Sequence, residues 1–119
     1  MAIHNQLGEQ GELLAANYLR KKGYRILERN WRYLKAEIDI IASFEKTLVI
    51  VAVKTRSSTY FGLPQEFIKT AKIKLLVNAA DPYVISKNIT QEVRFDIVSV
   101  VFQKGTPQIE HLKNGFLHF

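Results

Sequence analysis

The sequence predicts an α/β domain in which helices cover a mixed β-sheet. Helical and strand-like patterns follow one another in the order helix, strands, helix, strands, which favours a layered architecture. Two runs rich in β-branched residues, 37–42 and 48–54, flank a short polar segment and indicate a β-hairpin. The second run is almost continuously apolar, as expected for a central strand that is covered on both faces.

The first helix is predicted from about Leu7 to Lys22, where apolar residues recur at helical spacing and basic residues occupy the last turn. Gly23 follows as the stop signal. A short strand is expected from Tyr24 to Leu27, and a connection is expected to begin at Asn30-Trp31-Arg32.

A second helix is predicted from near Pro64 to about Ala80, with its apolar face formed by Phe67, Ile68, Ala71, Leu75 and Leu76. Asp81-Pro82 either kinks this helix or ends it and starts a new one. Val93 to Phe102 is expected to form a further strand, and Gln108 to Phe119 a last one.

Composition favours one basic domain spanning residues 1–119, since 47% of the residues are hydrophobic and no linker divides the chain. Seventeen Lys and Arg against eleven Asp and Glu give a formal charge of +6, which favours polyanions as partners. The absence of cysteine excludes disulfides and thiol chemistry. We expect a cytoplasmic protein without a membrane segment.

The predicted hairpin brings charged residues together. A two-residue loop at Glu45-Lys46 and a four-residue loop from Phe44 to Thr47 share one centre, so both set residue 39 opposite residue 52 and residue 37 opposite residue 54. Strand alternation then predicts one face carrying Glu37, Asp39, Ala52, Lys54 and Arg56.

Two interpretations of this face stay open on the residues alone. The first is a partly solvated surface with a salt bridge between Glu37 and Lys54, worth about 0–1 kcal/mol if exposed. The second is a Mg²⁺ site, because hard cations prefer carboxylate oxygens and a nearby lysine can position a water for attack on phosphate.

The sequence resembles the bacterial YraN family over nearly its whole length. Motifs that agree in type and spacing are, in chain order, Gly11-Glu12, Ala15-Ala16 with Leu19, Gly23-Tyr24, Ile26-Leu27, Asn30-Trp31-Arg32, 37–42, 53–56, Phe61-Gly62 with Pro64, Lys72, and Arg94-Phe95-Asp96. That family is assigned to the PD-(D/E)xK fold and is similar to archaeal Holliday-junction resolvases. The resemblance implies a restriction-endonuclease-like three-layer domain, with a central mixed sheet flanked by helices, that acts on DNA with Mg²⁺ or Mn²⁺.

The resemblance also implies roles for individual residues. Asp39 matches the metal-binding aspartate, Lys54 the catalytic lysine, and Glu12 an acidic residue that the first helix brings to the same site. Glu37 is a further candidate metal ligand. Ala52 stands where the family pattern has glutamate, and a methyl group cannot bind a metal ion, so we expect impaired catalysis. Ala36, where glycine is common, is a minor departure.

The residues expected to bind nucleic acid are basic side chains near these motifs, namely Arg25, Arg29, Arg32, Lys35, Arg56 and Lys72. The predicted function is metal-dependent phosphodiester hydrolysis in DNA, directed at branched or structured DNA, where a homodimer would suit a two-fold-symmetric junction. The alternative is a non-catalytic nucleic-acid-binding module that keeps the nuclease fold.

Several other side chains are expected to be structural or at the surface. Trp31 is expected to anchor the core, with stacking on bases as the alternative. Asp96 is expected to pair with a neighbouring basic side chain. His4, His111 and His118 lack metal-ligand spacing and are expected on the surface.

Overall fold

The described residues form a five-stranded mixed sheet with two helices. This computed structural model describes residues 3–34, 36–56, 70–102 and 106–114, with side chains from residue 6 onward and, in the second helix, from residue 75 onward. The elements are α1 (Ile3–Lys21), β1 (Arg25–Tyr33), β2 (Ala36–Phe44), β3 (Thr47–Arg56), α2 (Thr70–Ser86), β4 (Glu92–Phe102) and β5 (Pro107–Leu112). The strand order is β1-β2-β3-β4-β5, and only the β3–β4 pair is parallel.

Two hydrophobic cores cover the two faces of this sheet and make three layers. The α1 side buries Ala15, Ala16, Leu19, Tyr24, Ile40, Ala42, Val49, Val51, Val98 and Val100. The α2 side buries Ala36, Ile38, Ile41, Leu48, Ile50, Ala52, Leu76, Ala79, Ala80, Tyr83 and Ile97. Residues 48–52 of β3 are inaccessible to solvent, as predicted for a central strand. The α/β class is therefore confirmed, and the arrangement is consistent with a restriction-endonuclease-like domain.

Helix α1 ends at Lys21, two residues before Gly23, which was predicted as its stop signal. Gly23 has a positive φ of 96°, and the Tyr24 amide donates to the Leu19 carbonyl at 2.9 Å. The strand after it is longer than predicted. Asn30-Trp31-Arg32 belong to β1, and Trp31 and Arg32 pair with Ile38 and Glu37 of β2, so the expected connection at this point is wrong. Pairing of Arg29 and Trp31 with β2 on either side keeps Asn30 within the strand despite its weak β propensity and its positive φ of 55°.

Helix α2 continues through Pro82 to Ser86, so the alternative in which a helix ends at Asp81 is wrong. Burial of Ala79, Ala80 and Tyr83 on both sides of the proline offsets the missing backbone donor. Leu75, predicted on the apolar face, is 46% exposed. The predicted start near Pro64, with Phe67 and Ile68, lies outside the described residues. Neither described helix is long and apolar enough to cross a membrane.

Gly11 sets the distance between α1 and β3. A Cβ atom at this position would overlap Thr55 Oγ1 and lie 2.9 Å from both Thr55 Cβ and Cγ2. The helix backbone therefore approaches the strand more closely than any residue with a side chain allows. This close approach also carries the neighbouring residue, Glu12, towards the sheet.

We expect Gly11→Ala to destabilise the protein by about 1–3 kcal/mol, because the added methyl forces α1 away from Thr55. The matched control is Gly8→Ala in the same helix, where an added Cβ meets no atom within 4 Å. That control should gain roughly 0.5–1 kcal/mol from helix propensity. Urea unfolding of both variants measures the contrast, and an equal effect of the two would contradict it.

Candidate functional site

The β2–β3 hairpin opens at Asp39. A two-residue turn at Glu45-Lys46 sets the predicted register, which runs from the Phe44–Thr47 pair to the Ile40–Val51 pair. At the next position the Asp39 side chain reaches across, and its Oδ2 accepts a hydrogen bond of 2.8 Å from the Val53 amide. A carboxylate thus occupies the place of a backbone acceptor. The buried Asp39 side chain lies between the two strands, 7% exposed as a residue.

Side-chain alternation in β2 breaks at the same residue. Ile38 and Ile41 pack in the α2-side core, whereas Ile40 and Ala42 pack in the α1-side core. Regular alternation would put Ile38 and Ile40 on one face. The prediction that Glu37, Asp39 and Lys54 project from one common face is therefore wrong, because it assumed an uninterrupted strand.

Glu37 and Lys54 lie on opposite faces of the sheet. The two neighbours of Glu37 in sequence are buried on the α2 side, so Glu37 points to the α1 side. There it forms an ion pair with Arg32 across β1, with 3.5 Å between Nε and Oε2. In β3, Ala52 packs on the α2 side and Val53 on the α1 side. Strand alternation therefore places Lys54 on the α2 side.

Glu12 approaches the strand opening from α1. Its burial, together with the negative charges of Asp39 and Glu37, raises its pKa from 4.5 to about 7. Arg29 and a hydrogen bond with Asn30 act in the opposite direction. Three of the predicted acidic residues therefore come within electrostatic range of one another, although they derive from two different elements.

The raised pKa predicts that Glu12 makes stability fall as pH rises. The folded protein holds the Glu12 proton up to about pH 7, and the unfolded chain releases it near 4.5, so this contribution is complete below pH 4.5 and disappears through pH 7. At pH 8 we expect Glu12→Gln to be more stable than the parent by about 1–2 kcal/mol, after a discount for solvent screening.

Denaturant unfolding at pH 4 and pH 8 tests this prediction. The two proteins should have nearly equal stabilities at pH 4 and should separate at pH 8. Glu9→Gln is the control, because Glu9 is an exposed glutamate on the same helix and should show no such separation. A stability difference for Glu12→Gln that does not change with pH would contradict the assigned pKa.

The donor set fits a metal ion only in part. Glu12 and Asp39 supply the hard carboxylate oxygens that Mg²⁺ prefers. In the part of the chain that the structure describes, however, no group of three or more His, Cys, Asp or Glu residues is placed to hold a metal ion. Ala52, next in register to Asp39, contributes a fully buried methyl group. The site thus offers an incomplete set of ligands.

The basic residues predicted to bind nucleic acid do not share one surface. Arg29 and Arg32 are exposed on β1 beside Glu12 and Glu37. Arg25 lies at the other end of β1, paired with Ser43, roughly 13 Å from Arg29 along the strand.

The other three basic residues predicted to bind nucleic acid either lie on the opposite side of the sheet or have side chains that the structure does not describe. Arg56 is half-buried in β3 and shares the α2 side with Lys54. Lys72 belongs to α2, but its side chain is not described, and Lys35 lies outside the described residues. Among the described residues of this set, Arg29 and Arg32 are therefore the ones that lie at the edge of the carboxylate site, and we call these two residues the rim.

A second polar cluster lies deeper on the α1 side and centres on Asp96. This fully buried carboxylate accepts two hydrogen bonds of 2.9 Å from Arg94, one of 2.7 Å from His111 Nε2, and one of 3.0 Å from the Asn114 amide. Arg94 also donates to the Tyr24 hydroxyl at 2.7 Å. The predicted pairing of Asp96 with a neighbouring basic side chain is confirmed, since its partner is Arg94.

His111 does not lie on the surface as predicted, because its side chain is only 5% exposed. The available signal was the alternation in β5, because His111 shares a face with the apolar Ile109, which packs against the α1-side core. Asn30, expected to begin a connection, instead lies within β1 with a positive φ of 55° and forms a hydrogen bond with Glu12 that the sequence did not predict. Trp31 contacts Tyr83 edge-on at 5.3 Å, as expected for a core anchor.

Comparison with known proteins agrees with the resemblance seen in the sequence. Residues 11–100 match the model of a family described as "Uncharacterised protein family UPF0102". A UPF0102 protein of Flavobacterium psychrophilum is 56% identical over 119 residues, covering both chains completely. Another, from Christiangramia forsetii, is 50% identical over the same coverage. A third, from Bacteroides thetaiotaomicron, is 48% identical over 116 residues, or 98% of this chain and 96% of its own. The chain therefore belongs to the UPF0102 family, which is the YraN family.

Proposed function

We propose that this chain is a DNA-directed, metal-dependent nuclease-type domain in which Ala52 slows phosphodiester hydrolysis. The observation that carries the proposal is the meeting of Asp39 and Glu12 where β2 and β3 separate, one residue from Lys54. A partly buried carboxyl group such as Glu12, whose pKa is raised by burial and by the charge of Asp39, has an unfavourable arrangement in its ionised form unless a cation joins the two carboxylates. Placing these two carboxyl groups together does not stabilise the folded protein by itself, because burying an unpaired charge costs free energy.

Each residue of the site has a distinct task under this proposal. Asp39 and Glu12 would hold the divalent ion, which when bound polarises a phosphoryl oxygen and acidifies a coordinated water. The hydrogen bond from the Val53 amide fixes the Asp39 carboxylate in place. Lys54 follows directly on the strand and supplies a positive charge on the α2 side of the opening. Arg29 and Arg32 would bind flanking phosphates at the exposed rim.

DNA binding is expected to depend steeply on salt, because the charge of +6 attracts phosphates and releases counterions. Removing Arg29 and Arg32 with the double variant Arg29→Gln/Arg32→Gln should weaken binding to duplex DNA and reduce the salt slope by about 2. The control Lys46→Gln/Lys87→Gln removes the same charge at exposed positions away from the site. Fluorescence anisotropy at several salt concentrations measures both slopes, and equal losses in the two variants would argue against the rim.

The direct test of the reaction is cleavage of duplex, single-stranded and four-way-junction DNA in the presence of Mg²⁺ or Mn²⁺. We expect slow cleavage that rises with metal concentration and that is fastest on the junction, with Lys54→Ala as the inactive control. A substrate with two-fold symmetry suits a homodimer, which sedimentation in the presence of junction DNA would detect. Under this proposal the protein acts in the cytoplasm, where it would have access to chromosomal DNA.

The second candidate is a non-catalytic module that binds nucleic acid with the nuclease fold. The burial of Ala52 favours it, since the methyl group is sealed in the α2-side core. Phosphate affinity depends on the basic side chains and survives the loss of a metal ligand. Tight binding without cleavage of any DNA or RNA form, at high metal concentration and over long incubation, would establish this candidate over the first.

A further inference from the structure

A small pocket opens on the α1 side of the sheet beside the Asp96 cluster. It has a volume of about 180 Å³ and is lined by Tyr18, Lys22, Tyr24, Phe44, His111 and Lys113. Lys22 lies ten residues after Glu12, roughly 15 Å further along the helix direction. The pocket is thus separate from the carboxylate site at the strand opening, and it shares no residue with it.

The charge around this pocket is positive. The carboxylate of Asp96 is matched by the bidentate guanidinium of Arg94, so these two buried charges cancel. Lys22 and Lys113 then remain as two exposed ammonium groups at the opening. The Lys22 Nζ lies over the Tyr18 ring, 5.7 Å from its centroid, which holds this charge at the wall of the pocket.

The C-terminal end of α1 lies at the pocket and repels an anion only weakly. A helix C-terminus carries partial negative charge, worth about 0.3–1 kcal/mol at an exposed site. Here the Tyr18 and Leu19 carbonyls already accept hydrogen bonds from the Lys22 and Tyr24 amides, at 3.1 and 2.9 Å. Two full positive charges at the same opening outweigh that partial charge.

Residues with hydroxyl and imidazole groups line the pocket, namely Tyr18 of α1, Tyr24 before β1 and His111 of β5. Burial, followed by the proximity of Tyr24, raises the pKa of Tyr18, so its hydroxyl remains a donor. The Tyr24 hydroxyl accepts from Arg94, which leaves its own proton for another partner. His111 donates its Nε2–H to the Asp96 carboxylate, so in this tautomer its Nδ1 is an acceptor, and the donors for an anion are the two lysines and the two tyrosine hydroxyls.

The aromatic rings keep these groups in fixed positions. Tyr24 stacks on Phe44 with 4.3 Å between ring centroids, and the His111 ring meets both Tyr18 and Tyr24 edge-on at 5.7 Å. The Asp96 carboxylate fixes the orientation of the imidazole from behind. A site with pre-arranged donors costs little reorganisation when a ligand enters.

We propose that this pocket binds a phosphate group. Two lysines match a doubly charged anion, and a tetrahedral group with several acceptor oxygens can use donors that converge from different sides. The volume is below the roughly 300–1,000 Å³ of sites for drug-sized ligands, so the pocket admits one phosphate group and excludes a whole nucleotide. That phosphate is either inorganic phosphate or the terminal phosphate of a DNA strand.

The experiment follows the signals of His111 and of the pocket residues by NMR during titration with inorganic phosphate. We expect saturable shifts with a dissociation constant on the order of 1 mM, typical for an anion with five heavy atoms. The double variant Lys22→Gln/Lys113→Gln should lose affinity at least about tenfold. It changes two exposed side chains and so keeps the fold. The control Lys46→Gln/Lys87→Gln removes equal charge elsewhere and should bind phosphate as the parent does.

Two further arms distinguish the sources of the phosphate. A 5′-phosphorylated oligodeoxynucleotide and its 5′-hydroxyl counterpart are compared for shifts at His111. Shifts only with the phosphorylated strand assign the pocket to DNA ends, and equal behaviour of the two strands assigns it to free phosphate. An absence of saturable shifts with both phosphate and the phosphorylated strand would overturn the proposal. An equal loss of phosphate affinity in the Lys46→Gln/Lys87→Gln control would also overturn the proposal. It would show that the affinity depends on the total charge of the protein and not on the pocket. Neither result depends on whether the chain cleaves DNA.

Discussion

Ala52→Glu is expected to raise metal-dependent DNA cleavage by roughly 100-fold or more, because it adds an anionic ligand beside Asp39. Ala52 is fully buried in the α2-side core, where an unpaired carboxylate would cost several kcal/mol. The new side chain can avoid that cost only by turning towards the opening between β2 and β3. There it joins Asp39 and Glu12, and three carboxylates in one place favour a divalent cation strongly.

The same substitution should make stability dependent on metal. Without divalent ions Ala52→Glu should unfold at a lower temperature than the parent, since it adds a like charge beside Asp39. Metal at about 100 times its dissociation constant would add roughly 2.7 kcal/mol and reverse much of that loss. The parent, with fewer ligands, should respond far less. Thermal unfolding with and without Mg²⁺ or Mn²⁺ measures this difference independently of any cleavage.

Two controls accompany these measurements. Ala52→Gln has the size of glutamate without its charge, so it should be destabilised without responding to metal. Ala52→Glu/Lys54→Ala should bind metal and fail to cleave, which excludes a contaminating nuclease. If the parent already cleaves as fast as Ala52→Glu, the incomplete ligand set is sufficient and our account of Ala52 is wrong.

Asp96→Ala is expected to destabilise the protein by about 3–5 kcal/mol, the range for removing one partner of a buried ion pair. The substitution leaves the Arg94 guanidinium, whose side chain is 17% exposed, without its carboxylate. It also removes the acceptor for His111 Nε2 and for the Asn114 amide. Since domains are stable by only about 5–15 kcal/mol, such a loss brings the protein close to unfolding.

The control for this variant is Asp81→Ala, which removes an exposed aspartate from α2 and should change stability by less than about 0.5 kcal/mol. Chemical denaturation at neutral pH compares the two. Similar stabilities of Asp96→Ala and Asp81→Ala would show that the buried cluster contributes nothing net, as happens when desolvation cancels the attraction.

Acid unfolding provides a second readout of the same cluster. Burial alone raises the pKa of Asp96, but hydrogen bonds from His111, Arg94 and the Asn114 amide outweigh burial and hold the pKa below 3.8. A lowered folded pKa contributes stability above the unfolded value, and that contribution is lost as pH falls through the folded value. The parent should therefore lose stability below about pH 4, and Asp96→Ala should lack this part of the acid loss.

Much of the fold follows from local features of the sequence. Apolar spacing predicted α1, Gly23 predicted its end, and the polar segment around Glu45-Lys46 predicted the hairpin and its register. These features depend on residues within a few positions of one another, where backbone preference and periodicity are decisive. The charged residues of the candidate site were identifiable for the same reason, since Glu37, Asp39 and Lys54 interrupt apolar strands.

The sequence by itself determined the α/β class, the family and the identity of the acidic and basic candidates. Only the tertiary structure decided which of them meet. The reversal of alternation at Asp39 requires a side chain that bonds to the neighbouring strand at Val53, and no periodicity within β2 encodes that bond. The approach of Glu12 and the burial of His111 likewise depend on contacts between segments far apart in the chain. Such contacts depend on how distant segments pack and on the charges they bring together. A pattern of neighbouring residues in the sequence gives no information on either.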